Sequence, residues 1–307
     1  MLYIKLEEND NEIIGFFKII DKIKSIIFNL KIDRIENAES DKVKTLITIK
    51  DVSDITIKKI SKYIKQNCIK IVCLSDNLQT NNTFTNILKS EGIKIFDGRW
   101  LFEHLTKNIV EYVSNCKKEK IEVQEVSVLT HKIDRIIVSS IKEIALNVRA
   151  INIITDKENV FRKLENELYS EYGIILNMNN NYKKSLVKSD IIINFDYTEE
   201  DLKKYNLPKK ACIINLQGDT KLDSKIFEGI SSSFFEIIMP DKYIRNLVYL
   251  KGFNNQVLYE SFIYKNTIPE NIKKEIKDDK VCIISLVGKN GRIRKNEFLN
   301  LSKKVVN

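Results

Sequence analysis

The chain has 307 residues, of which 43% are hydrophobic, and a formal net charge of +9. A chain of this length can bury a sizeable core and is expected to form two domains rather than one. No run approaches the roughly 18 uncharged apolar residues that a membrane helix needs. The first ten residues lack the basic and apolar regions of a signal peptide. We therefore expect a soluble cytoplasmic protein with no membrane partner.

The positive charge comes mainly from lysine, since only eight arginines occur. Lysine, asparagine and isoleucine are all abundant, and an A/T-rich coding sequence produces the same bias without selection for a polyanion. Acidic residues interrupt the basic runs, as in residues 116–124, which is typical of a solvated segment. Nucleic-acid surfaces usually cluster arginine and lysine with exposed aromatic residues. The charge therefore gives little support to a nucleic-acid partner.

The five cysteines are scattered and form no CxxC motif. Because three of them lie within or beside apolar strands, we expect reduced thiols in the core. Only His104 and His131 could add imidazole ligands. The sequence therefore predicts no zinc site.

Residues 1–115 alternate between aliphatic runs and amphipathic patterns, which predicts a small α/β domain with a parallel sheet. Apolar residues at helical spacing from residue 13 to residue 30 predict a helix. Strands are predicted at residues 45–49, 69–74 and 93–96. A helix with apolar residues from 101 to 113 follows. The polar residues 116–124 are predicted to connect the two domains.

Residues 125–290 predict a second α/β domain. Five aliphatic runs lack strict polar alternation, as expected of a parallel sheet covered on both faces. These predicted strands are residues 126–130, 150–155, 174–178, 190–195 and 211–216. Helical patterns separate them, and Gly173 is placed to end one of these helices. The alternation predicts a doubly wound sheet of the dinucleotide-binding type. Residues 281–288 predict a last strand, Asn290 and Gly291 a turn, and residues 291–307 a helix that could return to the first domain.

The turn after the first of these strands, residues 130–135, contains no glycine. Dinucleotide-binding turns need glycines because the backbone must approach the pyrophosphate closely. Asp134 is placed to cap the next helix, and its carboxylate would repel a pyrophosphate there. A turn filled by Lys132 or Ile133 would favour a role as sensor or scaffold.

Five residues are candidate ligand contacts. Asp156 follows the second strand, where the ribose-binding acid of an NAD site stands, although polar residues are common at strand ends. Asn194 and Asp196 end the fourth strand and could face a cofactor. Arg99 and Trp100 follow residues 93–96, where they could form an anion contact and a wall of an interdomain cleft. Alternatively, Arg99 is a surface residue at a helix start and Trp100 anchors the core.

The order of elements is an N-terminal α/β domain, a bridging helix, a Rossmann-like domain and a last helix. This order resembles the two-domain shikimate dehydrogenases and related amino-acid dehydrogenase-like proteins. The resemblance implies an NAD or NADP cofactor and hydride transfer, with a catalytic lysine and aspartate in the first domain. Three hypotheses follow: a non-catalytic Rossmann-like protein that binds a ligand or partner, an NAD(P)-dependent oxidoreductase, and a basic protein associated with nucleic acid. The missing glycine-rich turn favours the first.

Overall fold

The computed structural model describes residues 1–6, 30–37, 40–219, 222, 227–247, 250–267 and 271–302. The chain divides into two compact units. Unit 1 comprises Met1–Gly98 and Met239–Val281, and unit 2 comprises Arg99–Ile238 and Cys282–Asn307. Both units are therefore discontinuous in sequence. These bounds differ from those predicted, in which residues 116–124 connect two domains and the second domain ends at residue 290. The predicted division into domains stays a prediction.

Unit 1 contains a mixed sheet whose strand order is β2-β3-β1-β4-β5. The strands are β1 (Leu2–Leu6), β2 (Leu30–Asn37), β3 (Ser40–Ile49), β4 (Ile71–Leu74) and β5 (Lys94–Phe96). Pairing is parallel except between β2 and β3, which are antiparallel. The three strands predicted from residues 45–49, 69–74 and 93–96 are confirmed. The helix predicted over residues 13–30 lies outside the described residues as far as residue 29. Its last predicted residue, Leu30, begins β2.

Twelve α-helices lie among the described residues. They are α1 (Asp54–Gln66), α2 (Asp76–Gln79), α3 (Asn82–Ser90), α4 (Arg99–His104), α5 (Thr106–Cys116), α6 (Arg135–Ala145), α7 (Glu158–Tyr172), α8 (Glu199–Leu202), α9 (Asp241–Leu247), α10 (Asn255–Asn266), α11 (Ile272–Asp278) and α12 (Lys295–Leu299). The single helix predicted over residues 101–113 is divided into α4 and α5 at Leu105. None of the described helices is long and apolar enough to cross a membrane.

The core of unit 1 forms where α1 packs on the sheet. Ser53 caps α1 by accepting a hydrogen bond from the amide of Thr56. The spacing of Ile57, Ile60 and Ile64 then places these side chains on one buried face, against a cluster that includes residues of β1, β3 and β4. Each such side chain contributes about 1.5–3 kcal/mol by leaving water. The apolar period of the helix therefore decides which face meets the sheet.

Unit 2 contains a sheet of six described strands, all parallel, in the order β8-β7-β6-β9-β10-β11. They are β6 (Glu125–Leu129), β7 (Ala150–Ile154), β8 (Asn177–Asn179), β9 (Ile191–Asn194), β10 (Cys212–Asn215) and β11 (Ile230–Ser232). Numbered within the sheet, this is the order 3-2-1-4-5-6 of the dinucleotide-binding fold. The chain therefore contains two α/β units, and the second is Rossmann-like, as the sequence predicted.

The helices of unit 2 follow the local signals in the sequence. Asp134 caps α6, and α7 ends at Gly173, which adopts the left-handed φ of +68°. A residue with a Cβ atom would be strained in that conformation. The buried face of α7 carries Phe161, Leu164 and Leu168. Both predictions are therefore confirmed: Asp134 caps the start of α6, and Gly173 ends α7.

A small antiparallel sheet completes unit 2. It consists of β12 (Phe234–Ile238), β13 (Cys282–Gly288) and β14 (Gly291–Arg292). The predicted last strand is therefore present, but it pairs with β12 and not with the parallel sheet. The turn predicted at Asn290 and Gly291 joins β13 to β14, and Gly291, with a φ of +97°, is the first residue of β14. The last helix, α12, contacts α5 through Phe298 and Tyr112, whose ring centroids are 6.1 Å apart, and both helices belong to unit 2.

All five cysteines are free, but they are not all core thiols. Cys73 and Cys212 are buried and Cys116 is partly buried, whereas Cys68 and Cys282 are exposed. The sequence prediction is therefore wrong for two of the five. Proximity to an apolar strand did not decide burial, because Cys68 follows α1 in a loop with a φ of +50° and Cys282 begins β13, whose residues alternate between exposed and buried at that end.

Candidate functional site

The strand order of unit 2 reverses between β6 and β9. From β6 the chain first builds outward through β7 and β8, and then crosses back to add β9 on the other side. Open α/β sheets bind ligands in the crevice outside the carboxyl ends of the strands at this switch point. The candidate site therefore comprises residues 130–134 after β6, residues 195–198 after β9 and the beginning of the loop after β7.

The carboxylate of Asp196 occupies the backbone amides of the turn after β6. The His131 amide donates to Oδ1 at 2.8 Å, and the Lys132 amide donates to Oδ2 at 3.0 Å. The Thr130 hydroxyl closes the same turn by donating to the Lys132 carbonyl at 2.8 Å. Each carboxylate oxygen thus accepts one amide hydrogen bond, an arrangement suited to any anion with two oxygens. Asp196 is the anion in this structure.

The first amides of α6 are occupied in the same manner. Oδ1 of Asp134 accepts hydrogen bonds from the amides of Ile136 and Ile137, each at 2.9 Å. These are the donors that a helix start offers to a phosphate. Lys132 and Ile133 are exposed and do not fill the turn. Asp196 reaches the turn from the neighbouring strand and occupies its amides in place of these two side chains.

His131 links three loops of the site. Its Nδ1 lies 2.6 Å from Oδ1 of Asp156, and its ring stacks on Tyr197 with centroids 4.0 Å apart and planes 5° apart. Tyr197 is held in turn by its hydroxyl, which donates to the Ile154 carbonyl at 3.2 Å. The imidazole is therefore fixed on one edge and one face. Its Nε2 has no hydrogen-bond partner among the described residues and so is open to a hydrogen bond with a ligand.

The two pKa shifts at this contact follow from the geometry. The hydrogen bond from His131 lowers the pKa of Asp156, whose carboxylate is otherwise exposed. Burial raises the pKa of Tyr197 well above that of free tyrosine. Asp156 therefore stays ionised at neutral pH and Tyr197 stays neutral. The ribose-binding role predicted for Asp156 stays a prediction, and in this structure its carboxylate orients His131.

Asn194 is fully buried and its amide supports the loop after β9. Its Nδ2 donates to the Tyr197 carbonyl and to Oδ1 of Asn215, both at 2.8 Å, and its Oδ1 accepts from the Tyr197 amide at 2.8 Å. These bonds use most of the capacity of a primary amide. Its predicted cofactor contact is untested, and the hydrogen bonds assign Asn194 to positioning Tyr197 beneath His131.

Arg99 and Trp100 begin α4 in unit 2. Nη2 of Arg99 donates to the Gln217 carbonyl at 3.3 Å, beside the loop that follows β10. Trp100 is partly buried and meets the ring of His104 edge-on, with centroids 4.5 Å apart. The exposed guanidinium therefore lies at the carboxyl end of the parallel sheet. The interdomain role that the sequence suggested for both residues stays a prediction.

Sequence reasoning named Asp196 and Asp156 but assigned neither to its partner, and it did not select His131. No local signal joins residue 196 to residue 131, since 65 positions separate them. The available signal was the strand order, because a 3-2-1-4 sheet places the ends of its first and fourth strands side by side.

The comparisons with known proteins leave the family open. No protein-family model matches the sequence, and no curated protein matches it. L-tryptophan dehydrogenase from Nostoc punctiforme is a structural neighbour, with 9% identity over 91% of this chain and 78% of that chain and a TM-score of 0.32. Shikimate 5-dehydrogenase from Listeria monocytogenes, solved with shikimate and NAD, is 11% identical over 90% and 95% of the two chains, with a TM-score of 0.30. The catalytic subunit of M. jannaschii aspartate transcarbamoylase is 11% identical over 86% of each chain, with a TM-score of 0.32. Such values do not show membership of any of these families.

Proposed function

We propose that this chain is a divergent Rossmann-like protein that binds a ligand or a partner and does not catalyse NAD(P)-dependent hydride transfer. The observation that carries the proposal is the pair of hydrogen bonds from the amides of His131 and Lys132 to Asp196. In the dinucleotide-binding fold the diphosphate is bound by the turn and the helix start at this place. Here both sets of donors already serve carboxylates of the chain itself.

A dinucleotide would have to displace these carboxylates. Charge-assisted hydrogen bonds of this kind are worth about 1.5–3 kcal/mol each. The diphosphate would also enter a site that already holds three carboxylates. These belong to Asp134 after β6, Asp156 after β7 and Asp196 after β9. The negative charges of these carboxylates would repel those of the diphosphate. The residues present therefore do not fit a diphosphate.

Titration of the protein with NAD, NADP and ADP-ribose tests the proposal. We expect no saturable heat and no saturable change in Trp100 fluorescence up to about 5 mM ligand, since a Kd of 1 mM already corresponds to only about −4 kcal/mol. Amide chemical shifts of His131 and Lys132 should also stay unchanged. Saturable binding below about 1 mM that shifts those two amides would overturn the proposal.

The oxidoreductase hypothesis is the second candidate, and the strand order of unit 2 is the observation that favours it. It requires that a nicotinamide cofactor binds without the glycine-rich turn. Oxidation of NADH or NADPH in the presence of a panel of 2-oxo acids and dehydroshikimate measures this directly. Turnover that is lost in a His131→Ala variant would support the oxidoreductase, and absence of turnover with each cofactor would support the binding protein.

A further inference from the structure

The edge of the parallel sheet in unit 2 carries an open groove. Among the described strands, β8 (Asn177–Asn179) pairs only with β7, so its other side faces the groove. The groove has a volume of about 1110 Å³ and lies between α7 and the segment of residues 183–188. Its lining runs from Glu158 and Asn179 at the carboxyl end of the sheet to Ala150 and Leu176 at the amino end. It therefore follows the whole length of the edge strand.

An unpaired edge strand offers backbone amides and carbonyls to another extended chain. Proteins block such an edge with a bulge, a proline, a covering helix, a very short strand or lysine side chains. Here β8 has three residues and three lysines line the groove, so self-pairing is disfavoured. No proline lies between residues 150 and 207, and the register of β7 with β8 is regular at its three paired positions. Neither a proline nor a bulge therefore prevents one strand from adding beside β8.

The charge of the groove selects the partner. The segment at residues 183–188 contributes Lys183, Lys184 and Lys188, and none of these forms an ion pair with a described residue. The wall from α7 carries Glu158, Arg162 and Glu165, which also lack ion-pair partners among the described residues. One wall is therefore wholly basic and the other is mixed. An incoming strand presents alternate side chains to opposite faces, so acidic side chains fit the basic wall.

Exposed apolar side chains continue this surface. Ile175, which is 69% exposed, lies two positions before β8, and Val187, which is 51% exposed, lines the groove. Tyr169 and Tyr172 are also exposed, at the end of α7 that leads to β8. Large apolar side chains that gather at one edge mark a binding surface more often than scattered ones do. They provide contacts for the apolar side chains of the same strand.

We propose that this edge binds an extended peptide segment of a partner protein, which adds as a strand beside β8 and directs acidic side chains toward Lys183, Lys184 and Lys188. This surface is separate from the switch point, so the proposal goes beyond the function proposed above and does not depend on how Asp196 behaves.

A second copy of this chain fits the edge less well. Antiparallel pairing of two β8 strands about a two-fold axis places each wall against the same wall of the other copy. The three lysines of one copy would then face those of the other, which is repulsive. An acidic peptide removes this conflict. The observations therefore favour a peptide over self-association.

The experiment uses the full chain and a fluorescein-labelled heptapeptide that alternates glutamate with valine, followed by fluorescence anisotropy. Two comparison peptides have the same length: one replaces glutamate with lysine, and the other replaces valine with proline, which cannot donate to a strand ladder. The test variant is K184E/K188E. The matched control is K120E/K210E, which changes the net charge equally at exposed lysines of unit 2 that do not line the groove.

We expect the glutamate–valine peptide to bind at least tenfold more tightly than either comparison peptide. The variant K184E/K188E should lose at least tenfold in affinity and the control less than threefold, with unchanged melting temperatures. Amide exchange at residues 177–179 should slow on binding. Three results would each overturn the proposal: equal losses in both double variants, equal binding of the proline peptide, or a concentration-dependent dimer without peptide that K184E/K188E abolishes.

Discussion

The two ends of the parallel sheet in unit 2 each hold a carboxylate, but in different surroundings. At the carboxyl end, Asp196 accepts backbone amides in a partly exposed turn. At the amino end, Glu119 accepts hydrogen bonds from Lys117 at 2.9 Å, from Gln124 at 2.9 Å and from Ser302 at 2.8 Å. Lys117 and Glu119 have side chains that are only 1% and 6% exposed. Similar chemistry therefore occupies a ligand position at one end and secures the fold at the other.

The difference teaches which end of the sheet can change function without unfolding the protein. A partly exposed carboxylate that leaves its amides exposes them to water, which replaces most of the lost interaction. A buried ammonium that loses its carboxylate has no such replacement. Variants at the amino end should therefore change stability, and variants at the carboxyl end should change what the turn binds.

The largest effect is expected at Lys117. Replacement with methionine should lower the free energy of unfolding by about 3–5 kcal/mol, because Glu119 would remain buried without its cation. The double variant Lys117→Met/Glu119→Leu should recover most of that loss, since it removes both charges. Urea unfolding measures all three proteins. Equal stability of the Lys117→Met variant and the parent would break the comparison between the two ends.

The stability of the protein should depend on pH through the buried carboxylate of Glu119. Burial alone would raise the pKa of Glu119, but hydrogen bonds from Gln124, Lys117 and Ser302 outweigh it and lower the pKa from 4.5 to about 2. A carboxyl whose pKa falls on folding stabilises the folded state above pH 4.5, and this contribution is lost as the pH falls toward 2. It amounts to about 3 kcal/mol. The difference in unfolding free energy between the parent and Glu119→Gln, followed from pH 6 to pH 2, should shrink by that amount, and a constant difference would contradict the assignment.

At the carboxyl end of the sheet, Asp196→Ala should lower the free energy of unfolding by only about 1–3 kcal/mol. The same substitution should free the amides of His131 and Lys132 to bind an external anion. We expect 10 mM inorganic pyrophosphate to raise the melting temperature of this variant and not that of the parent, because a ligand stabilises only the state that binds it. Asp156→Ala, which leaves both amides occupied, is the matched control. An equal rise in all three proteins would show that pyrophosphate binds elsewhere.

The smallest effect concerns the backbone beside the buried pair. Lys118 adopts a left-handed φ of +56°, a conformation that costs energy for residues other than glycine. Lys118→Gly should therefore raise the unfolding free energy by up to about 1 kcal/mol. Lys120, with a φ of −73°, provides the control, since glycine there should lower stability. A destabilised Lys118→Gly variant would show that the lysine side chain contributes more than the backbone strain.

Much of the fold was open to prediction from sequence because its signals are local. Four of the six strands of the parallel sheet are short aliphatic runs, whereas β8 and β11 are not. Asp134 caps the helix that follows it, and Gly173 supplies a left-handed residue at a helix end. The strand β11 was not predicted, and neither were β2 and β12. Pairing with β3 and β13 decided the conformation of the last two.

The candidate site was only partly predictable. Asp196 and Asp156 were selected as ligand contacts because they follow strands, yet their partners lie on other loops, and His131 had no distinguishing neighbour in sequence. The composition of the two units was also not predictable from local signals. Met239–Val281 joins the first 98 residues only through contacts between distant parts of the chain.

The sequence by itself determined that the turn after β6 lacks glycine and that a capping aspartate begins the next helix, because both depend on residues within a few positions of each other. Only the tertiary structure decided which anion fills that turn. Strand order brings Asp196 to the amides of His131 and Lys132, and a contact across 65 residues depends on the packing of the whole sheet rather than on any local preference.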